Sequence, residues 1–227
     1  MRIRPLHRWD LSPAEAVALQ REYADRIITD APLPPCTLIA GADVSYRKFD
    51  SMIYAGVVVL RLPELTVVEQ RGAAVECHFP YIPGLLSFRE GPAVLEAFAK
   101  IKNIPDAVML DGQGYAHPRR FGLACLLGLW LDIPTFGCAK SPFRVKYDEP
   151  GREVGSWTPM TNRDEVVGRV VRTKTDVNPV FVSVGHKIDI DGATRLTLAC
   201  HGGYRIPEPT RQAHHYVNAL RLGEATI

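Results

Sequence analysis

The chain has 227 residues, of which 46% are hydrophobic and 23% charged, and its formal net charge of +2 neither requires nor excludes a nucleic-acid partner. The longest nearly uncharged run, residues 121–131, is about half of the ~20 residues that a membrane-crossing helix needs. The five cysteines are odd in number and never spaced Cys-x-x-Cys, which argues against a disulfide framework and a thiolate zinc site. We expect one domain over residues 1–227, cytoplasmic, with no membrane association.

The first part of the chain has the pattern of one helix followed by three strands. Ser12–Glu15 has the form of a capping box with proline at the first helical position, which predicts a helix that runs through Ile28. Three β-rich segments follow a proline-rich stretch: Thr37–Tyr46, Met52–Leu62 and Thr66–Val75. A break as short as Arg47–Ser51 suits antiparallel neighbours.

Strand and helix patterns then alternate, which is typical of parallel crossovers. After a loop the predicted elements are a helix through Ile101, a strand Ala107–Leu110, a helix Phe121–Leu131, a strand Pro134–Ala139, strands Val166–Thr173 and Val180–Val184, and a closing helix capped by Thr210. The predicted fold is α/β: a ribonuclease H-like mixed sheet, with three antiparallel strands and then parallel β-α-β units, flanked by helices.

Two aspartates stand where an acidic side chain is unusual. Asp43 interrupts an apolar strand, and either a cation site or exposure on one face of an antiparallel strand would explain it. Asp111 directly follows an apolar strand, and α/β sheets bind ligands at the carboxyl ends of their parallel strands. Gly112 and Gly114 behind it suit a tight turn or the close approach of a ligand. Because His117 and two arginines follow, we favour a ligand.

Glu90 also has two explanations. Ser87–Glu90 fits a capping box in which the Glu90 carboxylate reaches back to the Ser87 amide. However, a helix that starts at Ser87 would place Pro92 where it deletes an intrahelical hydrogen bond, whereas a start near Gly91 avoids that cost. We therefore expect the helix to begin near Gly91, which frees Glu90 to face the carboxylates of the sheet.

The loop before Glu90 is stiff and apolar. Prolines bracket Tyr81 and Ile82, and Gly84 after Pro83 permits a sharp exit towards Leu86. Such a loop can plug a core, or it can act as a wedge that displaces a base from a duplex. The sequence of the loop leaves both roles open.

Three further polar residues are candidates for the same site. Lys140, at the end of a predicted strand, could neutralise phosphate charge or simply extend from the surface. His214 on the closing helix could be a metal ligand, a proton carrier or a surface residue, with His215 as its rival. His186, at another strand end, is expected to be structural.

Segments that strongly resemble endonuclease V, the deoxyinosine 3′ endonuclease family, occur here in the family's order: Gly41–Tyr46, Pro80–Glu90, Asp111–Gly122, Cys138–Ser141, Gly185–Lys187 and Pro207–His214. The string Tyr-Ile-Pro-Gly-Leu-Leu-Ser-Phe-Arg-Glu is highly specific. The chain departs from the usual pattern at Pro142-Phe143 and at Val184, and none of these is an expected ligand.

The resemblance implies roles for individual residues. The implied catalytic residues are Asp43, Glu90, Asp111, Lys140 and His214, of which the three acids hold the metal and His214 completes or adjoins it. The implied substrate-binding residues form a wedge loop and a turn that lines a pocket for the flipped base: Tyr81, Ile82, Pro83, Gly84, Leu86, Gly112, Gly114 and His117.

The implied activity is hydrolysis of the second phosphodiester bond 3′ to inosine, a deaminated adenine, leaving 3′-hydroxyl and 5′-phosphate ends as a step of DNA repair. Carboxylate ligands select hard cations, so we expect Mg²⁺, with Mn²⁺ as a substitute, as one ion or as two about 3.5–4 Å apart. The expected partner of this monomeric enzyme is inosine-containing DNA, with RNA as the alternative.

Two other functions stay open at this point. A structure-specific nuclease on the same fold would cut branched DNA and ignore inosine. A nucleic-acid-binding module without catalytic activity is disfavoured, because three carboxylates without a metal repel a phosphate backbone.

Overall fold

The computed structural model describes residues 1–47 and 50–227, which build an eight-stranded mixed sheet between two layers of helices. The strands are β1 (Leu38–Ser45), β2 (Met52–Arg61), β3 (Thr66–Glu76), β4 (Ala107–Leu110), β5 (Thr135–Ala139), β6 (Trp157–Asn162), β7 (Glu165–Val171) and β8 (Val180–His186). The helices are α1 (Pro13–Ala24), α2 (Leu86–Ala99), α3 (Leu123–Leu131), α4 (Ile190–Ala199) and α5 (Glu208–Leu222). Across the sheet the strand order is β3-β2-β1-β4-β5-β8-β7-β6.

The centre of the sheet is parallel and its two sides are antiparallel. Strands β1, β4 and β5 run in the same direction, whereas β1, β2 and β3 form an antiparallel meander and β8 runs antiparallel to β5. Ala42 pairs with Leu110, and Leu110 pairs with Gly137, so the carboxyl ends of the three parallel strands are level. The predicted mixed sheet, with three antiparallel strands followed by parallel β-α-β units, is confirmed.

Each face of the sheet is covered by its own hydrophobic core. Ala42 and Leu110 belong to the core beneath α1, α2 and α3. Ile39 and Met109, which point the other way because side chains alternate along a strand, belong to the core beneath α4 and α5. Burial on both faces explains why the central strands are almost wholly apolar.

Four predicted helix boundaries were wrong by a few residues, one of them the end of α2, which lies at Ala99 instead of Ile101. Helix α1 has the predicted capping box at Ser12 but ends at Ala24 instead of Ile28. Helix α3 begins at Leu123 instead of Phe121, after the extended residue Gly122. Helix α5 begins at Glu208, so Thr210 lies in its first turn and its hydroxyl donates to the carbonyl of Pro207 instead of capping the helix.

The start of α2 differs from both explanations of the sequence. The helix begins at Leu86, not near Gly91, and Leu85 precedes it without a side-chain cap, so the Ser87–Glu90 capping box does not form either. Pro92 lies inside the helix, where it cannot donate a backbone hydrogen bond. Glu90 is nevertheless buried and free of a capping role, which is the outcome that the sequence argument expected.

The sequence argument missed two elements, β6 and α4. Strand β6 is a partly exposed edge strand that contains Pro159, a residue tolerated mainly at sheet edges. Helix α4 contains Gly192 and two threonines, which are poor helix formers, and it is capped by Asp189. The predicted break Arg47–Ser51 includes residues 48 and 49, which lie outside the described residues.

All five cysteines are free, and Cys125, Cys138 and Cys200 are buried. Within residues 1–47 and 50–227, no helix combines the length and the apolar character that crossing a bilayer requires.

Glycines on the first three strands let α5 lie directly on the sheet. A Cβ atom at Gly41 would overlap the carbonyl oxygen of Pro209, and one at Gly56 would press on Tyr216 and Val217. Helix α5 therefore approaches the strand backbone more closely than side chains would allow. This close approach fixes the height of every α5 side chain above the sheet.

We predict that Gly41→Ala lowers the free energy of unfolding by about 1–3 kcal/mol or more, because an overpacked contact must be relieved by moving α5. Urea unfolding followed by circular dichroism measures the change. The control is Gly223→Ala, where nothing lies within 4 Å and only the left-handed backbone conformation is penalised, by about 1 kcal/mol. A Gly41→Ala protein as stable as the wild type would contradict the packing argument.

Candidate active site

The level ends of the three parallel strands bring polar residues together. Asp43 lies near the end of β1, Asp111 directly follows β4, and Lys140 directly follows β5. Because Ala42 pairs with Leu110, the residues that follow them, Asp43 and Asp111, lie close together, and burial together with the Asp111 charge raises the pKa of Asp43. Sequence positions 43, 111 and 140 thus converge at one edge of the sheet.

His214 of α5 joins this group through Asp43. Its Nδ1 lies 2.8 Å from the Oδ2 of Asp43, and the Asn218 side-chain nitrogen lies 3.2 Å from its Nε2. The side-chain oxygen of Asn218 accepts a hydrogen bond of 2.8 Å from the Ser45 hydroxyl. The imidazole is thereby held between strand and helix. Sequence reasoning missed Asn218, although its i, i+4 spacing from His214 was a usable signal.

Lys140 and Asp111 form an ion pair through the Lys140 Nζ and the Asp111 Oδ2. Burial lowers the pKa of Lys140 but the Asp111 carboxylate raises it, and the net shift is upward. Lys140 is therefore a permanent positive charge beside the carboxylates. The position of its backbone is fixed by Arg205, whose guanidinium donates to the Lys140 carbonyl at 2.6 Å.

Glu90 approaches the two aspartates from α2. Its side chain is buried, and among the described residues no donor forms a hydrogen bond with its carboxyl group. Burial, together with the charges of Asp43 and Asp111, raises the pKa of Glu90 to about 8. Burial and the Asp111 charge also raise the pKa of Asp43, against the opposing effect of His214. Glu90 and Asp43 therefore ionise less readily here than in water, because the site does not fully balance their negative charges.

The cluster fits a divalent cation by its chemistry. Buried carboxylates need a cation or a proton, and oxygen donors without thiolates suit a hard ion such as Mg²⁺. Within the described part of the chain, however, no three His, Cys, Asp or Glu side chains already have the arrangement of a formed metal site. Oxygens of Asp43 and Asp111 are engaged by His214 and Lys140 instead.

A cavity of about 400 Å³ opens beside Asp111 and Lys140. Most of the predicted substrate-binding residues line it, namely Tyr81, Pro83, Gly84, Leu86, Gly112 and His117. Two do not: Ile82 packs against the core, and Gly114 lies behind the wall, where its amide donates to the Ser183 hydroxyl at 2.9 Å. The wall also contains residues that were not foreseen as lining, among them Gln113, Ser141, Pro142 and Phe143.

Tyr81 at the edge of this cavity is unusually exposed. Its relative exposure is 64%, the largest of any exposed large hydrophobic residue in the described ranges. An exposed aromatic ring on a proline-bounded loop is available to stack on a base. The loop therefore projects its ring outwards, while Ile82 anchors it to the core.

The carbonyl oxygen of Gly84 holds this loop in place. It accepts hydrogen bonds from Gln20 (3.0 Å), Arg119 (2.7 Å) and His117 Nε2 (3.1 Å), and Gly84 adopts φ of +84°. Because the Arg119 amide donates to His117 Nδ1, the ring proton is on Nε2. Burial lowers the pKa of His117 to about 4, so the ring is neutral at pH 7. Gln20, fully buried on α1, was missed because its partners lie far along the chain.

The other histidines lie outside the carboxylate cluster. The Nε2 of His215 faces Arg211 at 3.2 Å. His186 is buried at the end of β8, and its Nδ1 accepts a hydrogen bond of 3.2 Å from the amide of Ile28. Both placements favour His214 as the histidine of the site.

The chain is similar to one known family over nearly its whole length. The sequence model of the endonuclease V family matches residues 21–215. An endonuclease V from Dehalococcoides mccartyi is 47% identical over 214 residues, which cover 94% of this chain and 96% of the relative. An endonuclease V from Gloeobacter violaceus is 46% identical over 225 residues, which cover 98% of this chain and 92% of the relative.

Solved structures share the fold. The endonuclease V of Streptomyces avermitilis is 43% identical with a TM-score of 0.91, covering 99% of this chain and 100% of that chain. The endonuclease V of Ciona intestinalis, in complex with a 24mer DNA containing an inosine followed by a ribo-adenosine, is 28% identical with a TM-score of 0.81. The matched regions cover 93% of this chain and 98% of that chain.

We predict that Glu90 makes the metal-free protein less stable as the pH rises. Its pKa increases from an ordinary value of 4.5 to about 8 on folding, so the folded chain binds more protons than the unfolded chain between these values. The free energy of unfolding must then fall across that window. Glu90→Gln removes this contribution and should be the more stable protein at pH 8, by an amount on the order of a few kcal/mol.

Urea unfolding of both proteins in EDTA, at pH 5 and at pH 8, measures the effect. The lowered pKa of His117 acts in the opposite direction but is common to both proteins, so it cancels in the difference. The same pH dependence in wild type and variant would contradict the prediction.

Proposed function

The chain belongs to the endonuclease V family and is a nuclease, and we propose that it hydrolyses the second phosphodiester bond 3′ to inosine in nucleic acid, as a step of DNA repair. The products would carry 3′-hydroxyl and 5′-phosphate ends. One observation carries the proposal: the carboxylate cluster of Asp43, Glu90 and Asp111 adjoins a cavity of about 400 Å³ beside an exposed tyrosine. Cleavage chemistry and base recognition would thus use adjacent parts of one surface.

We propose that Asp43, Glu90 and Asp111 hold Mg²⁺, for which Mn²⁺ would substitute, and that His214 completes or adjoins the set. Burial and the neighbouring acidic charges raise the pKa of Glu90 and of Asp43, and this need for a compensating positive charge supports the assignment. When bound, the ion supplies activation of a water molecule and stabilisation of charge on the leaving 3′ oxygen.

The side chains around the carboxylates would position and balance them. Lys140 holds Asp111 and presents a permanent positive charge to the scissile phosphate. His214 orients Asp43 through its hydrogen bond, and its half-exposed ring can pass a proton between the site and solvent. The buried Glu90 has no such partner among the described residues, so a cation would have its largest effect on this group.

The cavity would receive the inosine base after it leaves the base stack. Extruding a base costs a few kcal/mol, and least when the base is mispaired, which favours a deaminated adenine over intact pairs. Tyr81 would fill the vacated space, and the backbone around Gly84 and Gly112 would face the base. The inosine-containing DNA bound by the Ciona intestinalis enzyme supports this substrate.

The direct test is cleavage of duplex DNA, single-stranded DNA and RNA, each with a single inosine, in Mg²⁺ or in EDTA, with the cut positions mapped on a gel. We expect cutting in Mg²⁺ alone, at the second bond 3′ to inosine. Asp43→Asn and Asp111→Asn should abolish it, because each removes a ligand charge, while their circular dichroism spectra stay unchanged.

Glu224→Gln is the matched control, since it removes an exposed carboxylate at the far end of α5 and should cut normally. Cutting at branched junctions instead of at inosine would overturn the substrate assignment. Full Mg²⁺-dependent activity of either Asn variant would overturn the assignment of the metal site.

We predict that Tyr81→Ala weakens cleavage of inosine in duplex DNA far more than in single-stranded DNA. The physical reason is that a wedge is needed only where a base must be extruded from a stack. Single-turnover rates on the two substrates measure the difference. Tyr81→Phe keeps the ring and should retain activity, whereas equal losses on both substrates would argue against a wedge.

A further inference from the structure

A second group of like charges lies beside the cavity, formed by arginines from three separate elements. Arg21 is on α1, Arg119 is on the turn after β4, and Arg144 follows β5. The Arg119 side chain donates to Gln20, the residue before Arg21, and burial and the charges of Arg21 and Arg144 lower the pKa of Arg119, so each of these two guanidinium groups is within electrostatic reach of Arg119. In the described part of the chain none of them forms an ion pair with a carboxylate. We call these three residues the arginine cluster.

The arginine cluster borders the wall of the cavity that contains Gly84, His117 and Phe143. Arg119 donates to the Gly84 carbonyl, and Arg144 directly follows Phe143, whose ring centre lies 5.8 Å from that of His117. Asp111 and Lys140 contribute a different part of the wall. The cavity therefore has the Asp111 carboxylate, paired with Lys140, in one part of its wall, and guanidinium groups without a carboxylate partner among the described residues beside another part.

The Arg119 side chain and the Arg144 backbone are held in place by hydrogen bonds. Arg119 is fixed by hydrogen bonds to Gly84 and to the Gln20 side chain, the residue before Arg21 on α1. Arg144 has a left-handed backbone conformation with φ of 56°, and its carbonyl accepts a hydrogen bond of 2.6 Å from the Asn162 side chain. Such a conformation is unfavourable for a residue with a side chain and persists only where neighbours impose it.

Like charges held together without a counterion suit a polyanion. Guanidinium groups match the geometry of phosphate oxygens, and both Arg21 and Arg144 are exposed, so their donors are free to reach a ligand from solvent. Arg119, half-buried behind them, would add to the positive potential while it holds the loop. A nucleic-acid backbone is such a polyanion, and it would accompany the base that we propose for the neighbouring cavity.

We propose that Arg21 and Arg144 bind phosphates on the 5′ side of the extruded inosine. This proposal rests on the proposed function. If the bond that is cut lies 3′ to the inosine, the strand on the 3′ side of the base must pass over the carboxylates. The remaining strand leaves the cavity on its 5′ side, where the arginine cluster lies. Two sites of opposite charge on either side of the base fix the direction of the strand, and hence which side of the lesion is cut.

The first test uses the variants Arg21→Gln, Arg144→Gln and the double variant, with Arg195→Gln on the exposed face of α4 as the matched control. Fluorescence anisotropy measures binding of a labelled single-stranded DNA with one inosine, in EDTA, at several salt concentrations. Each lost phosphate contact should reduce the slope of log K against log salt by about 0.7, and the double variant by about twice that amount. The control should keep the wild-type slope.

The second test replaces single phosphates by neutral methylphosphonates, either 5′ or 3′ to the inosine. A 5′ replacement should weaken binding to the wild-type protein and leave the already weakened double variant unchanged, whereas a 3′ replacement should affect both proteins alike. Unchanged salt slopes in the variants would overturn the proposal. So would a 3′ replacement, instead of a 5′ one, that weakens binding to the wild-type protein but not to the double variant. Both tests measure binding and not cleavage. A protein that does not cut at inosine would overturn the proposed function, whereas the salt slopes and the methylphosphonate effects would still show whether the two arginines bind phosphates.

Discussion

Repulsion among three carboxylates at the carboxyl edge of the parallel strands is the constraint on which the site depends. Asp43 and Asp111 become neighbours as soon as β1 and β4 pair in register, and Glu90 is added from α2. Bringing such charges out of water is unfavourable unless protons or cations accompany them. Among the described residues the direct partners of the cluster are Lys140, His214 and the Val44 amide, and burial together with the neighbouring acids still raises the pKa of Glu90 to about 8.

The rest of the fold holds that unfavourable arrangement together. Helix α5 can bring His214 to Asp43 because Gly41 has no side chain to keep Pro209 away from the sheet. The cores on both faces of the sheet stabilise the strands whose ends carry the charges. Glycine in a strand weakens the strand itself, so its presence at position 41 is explained by the contact with the helix and not by the sheet.

The sequence predicted the parts of the site that follow from strand ends. Asp111 was recognisable because it directly follows an apolar strand, whereas for Asp43 and Glu90 the resemblance to a family decided between open alternatives. Glu90 is free as expected, yet the reason was wrong, because α2 begins before it and tolerates Pro92. Gln20 and Asn218 were missed since their roles depend on contacts between distant segments, which no local pattern reveals. Helix α4 and strand β6 were missed because their propensities are weak and packing determines them.

The near-neutral composition conceals a strong separation of charge around one cavity. A net charge of +2 over 227 residues neither requires nor excludes a nucleic-acid partner. The fold, however, gathers acidic groups beside one part of the cavity wall and arginines beside another. The hydrogen bonds to the Gly84 carbonyl hold the loop that carries Tyr81. One of these hydrogen bonds comes from His117, whose pKa burial lowers to about 4. The ring therefore stays neutral in the pH range in which Glu90 titrates. On the proposed function, base recognition and backbone hydrolysis would therefore depend on groups whose protonation responds differently to pH, although both groups adjoin a single cavity.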